Sequence, residues 1–338
     1  MKNSLLYKRL LSVAFLLLVL AACADASSSE GDEGSSDEDG GELQESKLIT
    51  NWFAQPEHGG NYAALEQGMY EDEGLDMEIE PGGPQVSTTQ MVAAGEADFG
   101  YTQGEDILNA RNKGIPLVAI GAIFQESPYV FISHADAGVE DFEDLSGKTV
   151  ITAPGVGYWE YIKEDYDLEG VKEISYTGEL SKFIDNPDAV TQGYVTSEPH
   201  VLEKEGVETN ALPIHDSGFQ PYSNVIFTTE KMIEENPEKV QAFMDATHSG
   251  WEYYRENSED VQSFLQEYNP DLTEELMTYG AEAQEELIFG GEAEEHGFGY
   301  MSEERWSTLQ EQMLELEIIT NEEDPSNYYT TEFLSLEE

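Results

Sequence analysis

A single cysteine and only 15 lysines and arginines occur in the 338 residues of this sequence. One cysteine excludes a disulfide framework and any multi-cysteine metal site. So few cations exclude the basic patch on which nucleic-acid binding depends. No Gly-x-Ser-x-Gly, His-Glu-x-x-His or P-loop pattern is present, so three common enzyme chemistries have no residues to carry them. A lone Gly-Val-Gly at 155–157 reads as a tight turn that lets a helix N-terminus approach a ligand. No internal repeat is visible.

Acidic residues are what the chain has in excess. There are 71 of them, for a formal net charge of -56, and they recur on the exposed face of every expected helix. A dense carboxylate shell keeps molecules apart while salt screens its self-repulsion, which points to a salty or alkaline milieu, halophilic or alkaliphilic. Extreme charge can also mean disorder. Regular apolar periodicity after residue 46, in a chain that is 39% hydrophobic, argues for a folded body large enough for two lobes.

Residues 1–22 open with Lys2, Lys8 and Arg9 and continue in an apolar run, Leu10 to Leu20, as a secretory signal does. The ending Leu20-Ala21-Ala22-Cys23 matches a bacterial lipobox, which implies cleavage before Cys23 and lipidation of its sulfur. An uncleaved anchor helix is the alternative. Two acyl chains suffice for stable membrane anchoring. Residues 23–46 are Ser, Gly and acid with little that is apolar, so an acidic disordered tether is expected there.

The stretch LITNWFAQPEHGGNYAALEQGMYEDEGLDMEIE, residues 48–80, organises the rest. Leu48, Ile49, Trp52 and Phe53 form a first apolar run. Tyr62, Leu65, Met69 and Tyr70 then recur at helical steps, Gly74 stops the helix, and Leu75, Met77 and Ile79 alternate with acids as a strand does. Such a unit predicts a parallel strand pair with a right-handed crossover, its loop opening at the carboxyl end of the first strand, where ligands of open α/β sheets bind.

This opening resembles that of a family of ABC-importer substrate-binding proteins for thiamine pyrimidine precursors, riboflavin, nitrate, sulfonates or taurine. The likeness continues through MVAAGEADFGYTQGEDILNARNKGIPLVAIGAI, FEDLSGKTVITAPG, QGYVTSEPHVLEKEG and NVIFTTEKMIEENPEKVQAFM, so it covers nearly all of the chain after residue 46. It identifies the superfamily strongly and the ligand weakly. The resemblance implies a periplasmic-binding-protein-like α/β fold of type II, with two lobes and a hinge. We expect lobe I over 47–133 plus 220–338, with the chain leaving it at Ser133, and lobe II over 134–219.

Site candidates follow from the loops that face the cleft in that family. The first lobe offers Trp52, Gln55, His58, Tyr62, Gln85, Gln103 and Glu105. Glu105 also complements a helix dipole. From the second lobe come Gly155, Tyr158, Trp159, Tyr194, Ser197 and Glu198, with Tyr222 on the returning segment. Tyr158 and Trp159 either pack inward or line the cleft, and Ser197 and Glu198 either cap the helix opened by Pro199 or meet the ligand. Trp52, Tyr62, Tyr158 and Trp159 form a possible aromatic clamp.

The function expected is a lipid-anchored extracytoplasmic binding protein, a monomer, serving an ABC permease and its ATPase, with no cofactor and no metal. Pyrimidine synthases resemble the fold but use a cysteine-rich motif, a histidine and a cofactor-bearing lysine, and the only cysteine here is Cys23. A sensor lipoprotein is the other alternative. Because the candidate loops hold Glu57, Glu105, Asp106 and Glu198 but no Lys or Arg, a neutral or cationic heteroaromatic suits them better than an anion. Charge supplies the first test: moving from molar salt to low salt should lower the unfolding temperature as self-repulsion goes unscreened. An unchanged midpoint would mean that the acids are no more than tolerated surface.

Overall fold

The computed structural model describes residues 43–336, so the signal peptide, Cys23 and most of the tether lie outside the described residues. Among the described residues ten strands follow one another as β1 (Gln44–Ile49), β2 (Leu75–Glu80), β3 (Phe99–Thr102), β4 (Leu117–Phe124), β5 (Tyr129–His134), β6 (Thr149–Thr152), β7 (Lys172–Ser175), β8 (Ala189–Tyr194), β9 (Thr209–Pro213) and β10 (Ser223–Thr229). They form two five-stranded sheets, ordered β2-β1-β3-β10-β4 and β7-β6-β8-β5-β9. This is the two-sheet α/β architecture expected from the sequence.

The organising unit folds as read. β1 and β2 run parallel, Leu48 opposite Ile79, and the alternation of Leu75, Met77 and Ile79 with acids becomes alternate burial on one face. The helical stretch between them is two helices, Gly59–Glu66 and Met69–Asp72, because Gly68 takes a left-handed φ of 74°. Each sheet also contains one strand from the far side of the sequence. β10 returns antiparallel between β3 and β4, and β5 enters antiparallel between β8 and β9.

Two boundaries differ from the sequence reading. β1 begins at Gln44, inside the stretch assigned to the tether, because its first residues are polar and exposed while their backbone pairs with β2 from Leu75 onward. β5, assigned with the first lobe, belongs to the second sheet: Phe131 lies opposite Gln192 and Leu212. The chain therefore crosses at 125–128 and not at Ser133. An apolar run shows that a strand is buried but not against which partner, which is why the crossing was misplaced.

Both crossings are pinned to the C-terminal segment. In the first, the Gln125 and Glu126 backbone N–H groups donate to the Leu287 carbonyl at 2.8 and 3.2 Å, and the Gln125 amide donates to the Tyr300 carbonyl at 3.0 Å. In the second, Arg305 donates to the carbonyls of Gln220 and Pro221 at 2.7 and 3.2 Å and lies over the Tyr222 ring.

The first sheet packs on the long helix Pro237–Tyr268, whose two segments meet at a kink at Asn257. Phe243 on that helix stacks on Phe99 of β3 with ring centroids 3.9 Å apart. Helix Gly59–Glu66 lies so close to it that glycine is required on both sides: a Cβ on Gly60 would enter the Trp251 ring, and one on Gly250 would enter the shell of the Gly60 carbonyl oxygen and the Ala64 methyl. Backbone cannot give way as a flexible side chain can. Gly250→Ala should therefore lose about 1 to 3 kcal/mol by overpacking, outweighing its better helix propensity of about 1 kcal/mol. A denaturant midpoint equal to or above that of the native chain would refute this packing.

Candidate functional site

A cavity of about 460 Å³ lies where loops at the ends of the two sheets meet, within the size range of small-molecule sites. From the first sheet it is lined by Asn51, Trp52, Gln55, Glu57 and His58 after β1, by Gly83, Pro84 and residues 86–89 after β2, by Thr102, Gln103 and Asp106 after β3, and by Asn224. The second sheet contributes Tyr129, Ala153, Pro154, Tyr176, Gln192, Tyr194, Ser197 and Glu198. Neither lysine nor arginine is among the lining residues.

Several of these side chains are held by others of the same lining. Asn51 donates to the Asn224 side-chain oxygen at 2.8 Å and turns its own oxygen to His58 Nε2, 2.9 Å away. That arrangement puts the proton on Nε2 and leaves Nδ1 an acceptor, buried and without a partner among the described residues. Asn224 can occupy its place because asparagine tolerates the left-handed φ of 48° found there. Burial lowers the His58 pKa to about 3, so the ring is neutral.

Two hydrogen bonds run from one sheet to the other across the cavity. Gln103 donates to the Tyr194 hydroxyl at 3.3 Å while its oxygen accepts from Ser223 at 2.6 Å. The Thr196 hydroxyl donates to the Glu57 carboxyl. Glu57 is 2% exposed, and its other oxygen, Oε2, is buried with no partner among the described residues. Desolvation raises its pKa to about 7, partly offset by the Thr196 bond.

Gln192 and Glu198 complete the second wall. The Gln192 oxygen accepts from the Ala153 backbone at 2.6 Å, the Tyr158 hydroxyl at 2.7 Å and Thr152 at 3.0 Å. Three donors on one oxygen fix the amide and leave its NH2 as the group free to donate. Glu198 accepts from the Tyr176 hydroxyl at 2.9 Å and from the Tyr194 backbone N–H at 2.7 Å. Pro199 stands at the start of the helix Glu198–Lys204 as expected, so Glu198 both opens the helix and lines the cavity.

Of the sequence candidates, Trp52, Gln55, His58, Gln103, Tyr194, Ser197 and Glu198 line the cavity. The others stand apart from it. Tyr62 is fully buried against Tyr268, ring centroids 4.8 Å apart, and Trp159 packs on Phe131. Tyr158 lies beneath the wall and acts on Gln192 through its hydroxyl. Tyr222 is buried under Arg305. Glu105 is buried behind the lining, where desolvation first and the neighbouring Asp106 charge second raise its pKa to about 8. Gln85 is exposed, and Gly155 supplies a left-handed turn, φ 72°, beside Pro154.

Of the four rings expected to form a clamp, Trp52 lines the cavity and Tyr62, Tyr158 and Trp159 do not. The other aromatic rings in the lining are Tyr129, Tyr176 and Tyr194, with Tyr129 edge-on to Tyr194 at 4.5 Å. Tyr62 and Trp159 sit at helical positions that turn inward, which an aromatic near a loop does not reveal. Tyr129, Tyr176, Gln192 and Asn224 were missed by sequence reasoning because they stand on strands or strand ends, not in the glycine-rich loops. Among the described residues no helix is long and apolar enough to cross a membrane.

Comparison with known proteins places this site in a family. The chain is 26% identical over 267 residues to the formylaminopyrimidine-binding protein of Halalkalibacterium halodurans, covering 76% of this chain and 78% of that one. It is 25% identical to the riboflavin-binding protein RibY of Chloroflexus aurantiacus, covering 86% of each. A 4-amino-5-hydroxymethyl-2-methylpyrimidine phosphate synthase of Legionella pneumophila is 28% identical, with 67% of this chain and 74% of that one covered. In fold it is similar to the periplasmic aliphatic sulphonate-binding protein SsuA of Escherichia coli, TM-score 0.66 at 13% identity over 84% of this chain and 91% of that one. The model of the family described as NMT1/THI5 like matches residues 55–261, from the loop that carries Glu57 and His58 through both sheets into the long helix, and the chain belongs to that family.

Proposed function

We propose that the protein is an extracytoplasmic solute-binding lipoprotein that delivers a small heteroaromatic base, an aminopyrimidine precursor of thiamine, to an ABC importer. The observation that carries this reading is the cation-free cavity. Glu57, Asp106, Glu198, Gln103 and Gln192 offer acceptors and donors to an amino-substituted ring, and Trp52, Tyr129, Tyr176 and Tyr194 offer faces to cover it. A nitrate or sulfonate would have to be held by backbone N–H groups alone against a negative background. The named pyrimidine-binding and riboflavin-binding relatives support the same class of ligand. Riboflavin is the second reading, because a cavity of about 460 Å³ has room for a fused ring system.

In this reading the two sheets are the cores of two lobes that close on the ligand about the crossings at 125–128 and 214–222, the ligand favouring the closed form by its differential affinity. Synthase chemistry is disfavoured, since the lining holds no lysine and no cysteine. A sensor lipoprotein would use the same cleft, and a neighbouring permease and ATPase gene pair separates the two.

Calorimetry at high salt against 4-amino-5-hydroxymethyl-2-methylpyrimidine, riboflavin, taurine and nitrate tests the ligand. The pyrimidine should bind, and Trp52→Ala should weaken it about tenfold while leaving the unfolding midpoint unchanged, since stacking adds about 0.5 to 1.5 kcal/mol beyond area burial. Binding of taurine or nitrate with neither heteroaromatic would overturn the reading. The anchor is tested separately: Cys23→Ser should release the protein from membranes, and retention would reject the lipoprotein assignment.

A further inference from the structure

The aminopyrimidine reading leaves open which group in the cavity selects a basic ring over a neutral one. Glu57 is placed to do so. One of its oxygens is fixed by the Thr196 hydroxyl from the turn after β8. The other, Oε2, is buried and has no partner among the described residues, although Glu57 lines the cavity. An unpartnered buried carboxyl oxygen costs free energy that a bound group can recover.

The surroundings decide what that group must be. Facing Glu57 from its own turn is His58, which is neutral. Glu198 faces it from the helix after β8 and raises its pKa by charge. Tyr194 at the end of β8 and Tyr254 on the long helix are the other titratable neighbours, and both hydroxyls are held far above neutrality, chiefly by burial. No cation is among the residues that line the cavity. A bare carboxylate here would lie beside a second acid with no countercharge, so the form that suits the site keeps its proton on Oε2 and donates it.

We infer that Glu57 is the specificity-determining residue of the cavity, its Oε2–H shared with the ring nitrogen of an amino-substituted heteroaromatic base. This rests on the aminopyrimidine reading above. Amino substitution makes the ring nitrogen basic enough to share a proton, and a flavin ring offers no nitrogen of comparable basicity. The complex then contains one proton between Glu57 and the ligand. The free carboxyl has a pKa of about 7, so above that pH the proton must be recovered from solvent on binding.

The sign follows from linkage: the bound state holds more protons than the free state at alkaline pH, so affinity falls by about tenfold for each pH unit above about 7. Calorimetry with 4-amino-5-hydroxymethyl-2-methylpyrimidine from about pH 7 to about pH 9, on the native chain, Glu57→Gln and Glu57→Ala, tests this. A glutamine amide donates to the same ring nitrogen but has no proton to lose. Glu57→Gln should bind with an affinity that is flat over this range, and Glu57→Ala should bind at least about tenfold more weakly than the native chain at pH 7. If Glu57→Ala does not fold, the native and Glu57→Gln profiles decide the matter between them. Native binding that is flat or strengthens with pH, or a Glu57→Gln profile with the native slope, overturns the role of Glu57 and leaves the aminopyrimidine reading standing. A native protein that binds riboflavin and not the pyrimidine overturns both.

Discussion

Carboxyl groups taken out of water without a countercharge cost several kcal/mol each unless they keep their protons or are fully hydrogen-bonded, and the cleft is built around how that cost is met. Glu105, buried, and Asp106, half-buried, share one helix start, both with raised pKa values and with Thr102 donating to Asp106 at 2.8 Å. Glu198 gathers donors from Tyr176, Tyr194 and Ser197. Glu57 has one donor, and its Oε2 has no partner among the described residues. The outer surface has the opposite physics: its acids are exposed and solvated, and salt screens them. The same residue types therefore do two unrelated jobs in one chain, separated only by depth.

This separation sets what could be read without a structure. The alternation of Leu75, Met77 and Ile79 with acids, the glycine stop at Gly74 and the proline at Pro199 are local signals, and each became the element it implied. Pairing across distance is not local. Nothing within Tyr129–His134 says that its neighbours are β8 and β9, and nothing in the first polar residues of β1 says that β2 will pair with them.

The site was legible to the degree that loops define it. Trp52, Gln55 and His58 were accessible to inspection because a turn-rich segment must lie at a strand's end. Gln192 shows the converse. It reads as one polar residue in a strand, and it becomes part of the wall only because Tyr158, Thr152 and the Ala153 backbone converge on its oxygen. Tyr158 itself was suspected as a ring and is used as a hydroxyl. Residue type identified the right neighbourhood, and three-dimensional convergence decided which atom of each residue matters.

The pinning of the two crossings to the C-terminal segment has a mechanical meaning. Gln125, Glu126, Gln220 and Pro221 are tied by hydrogen bonds to Leu287, Tyr300 and Arg305, and the Gly218 carbonyl accepts from Gln312 of the same segment at 2.9 Å. Gly218, with a left-handed φ of 92°, is the residue of the second crossing with the widest torsional range. In the closure proposed above, a segment that adds no strand to either sheet is the bearing on which they turn. The residues that tie the crossings and the residues that line the cavity are thus different ones.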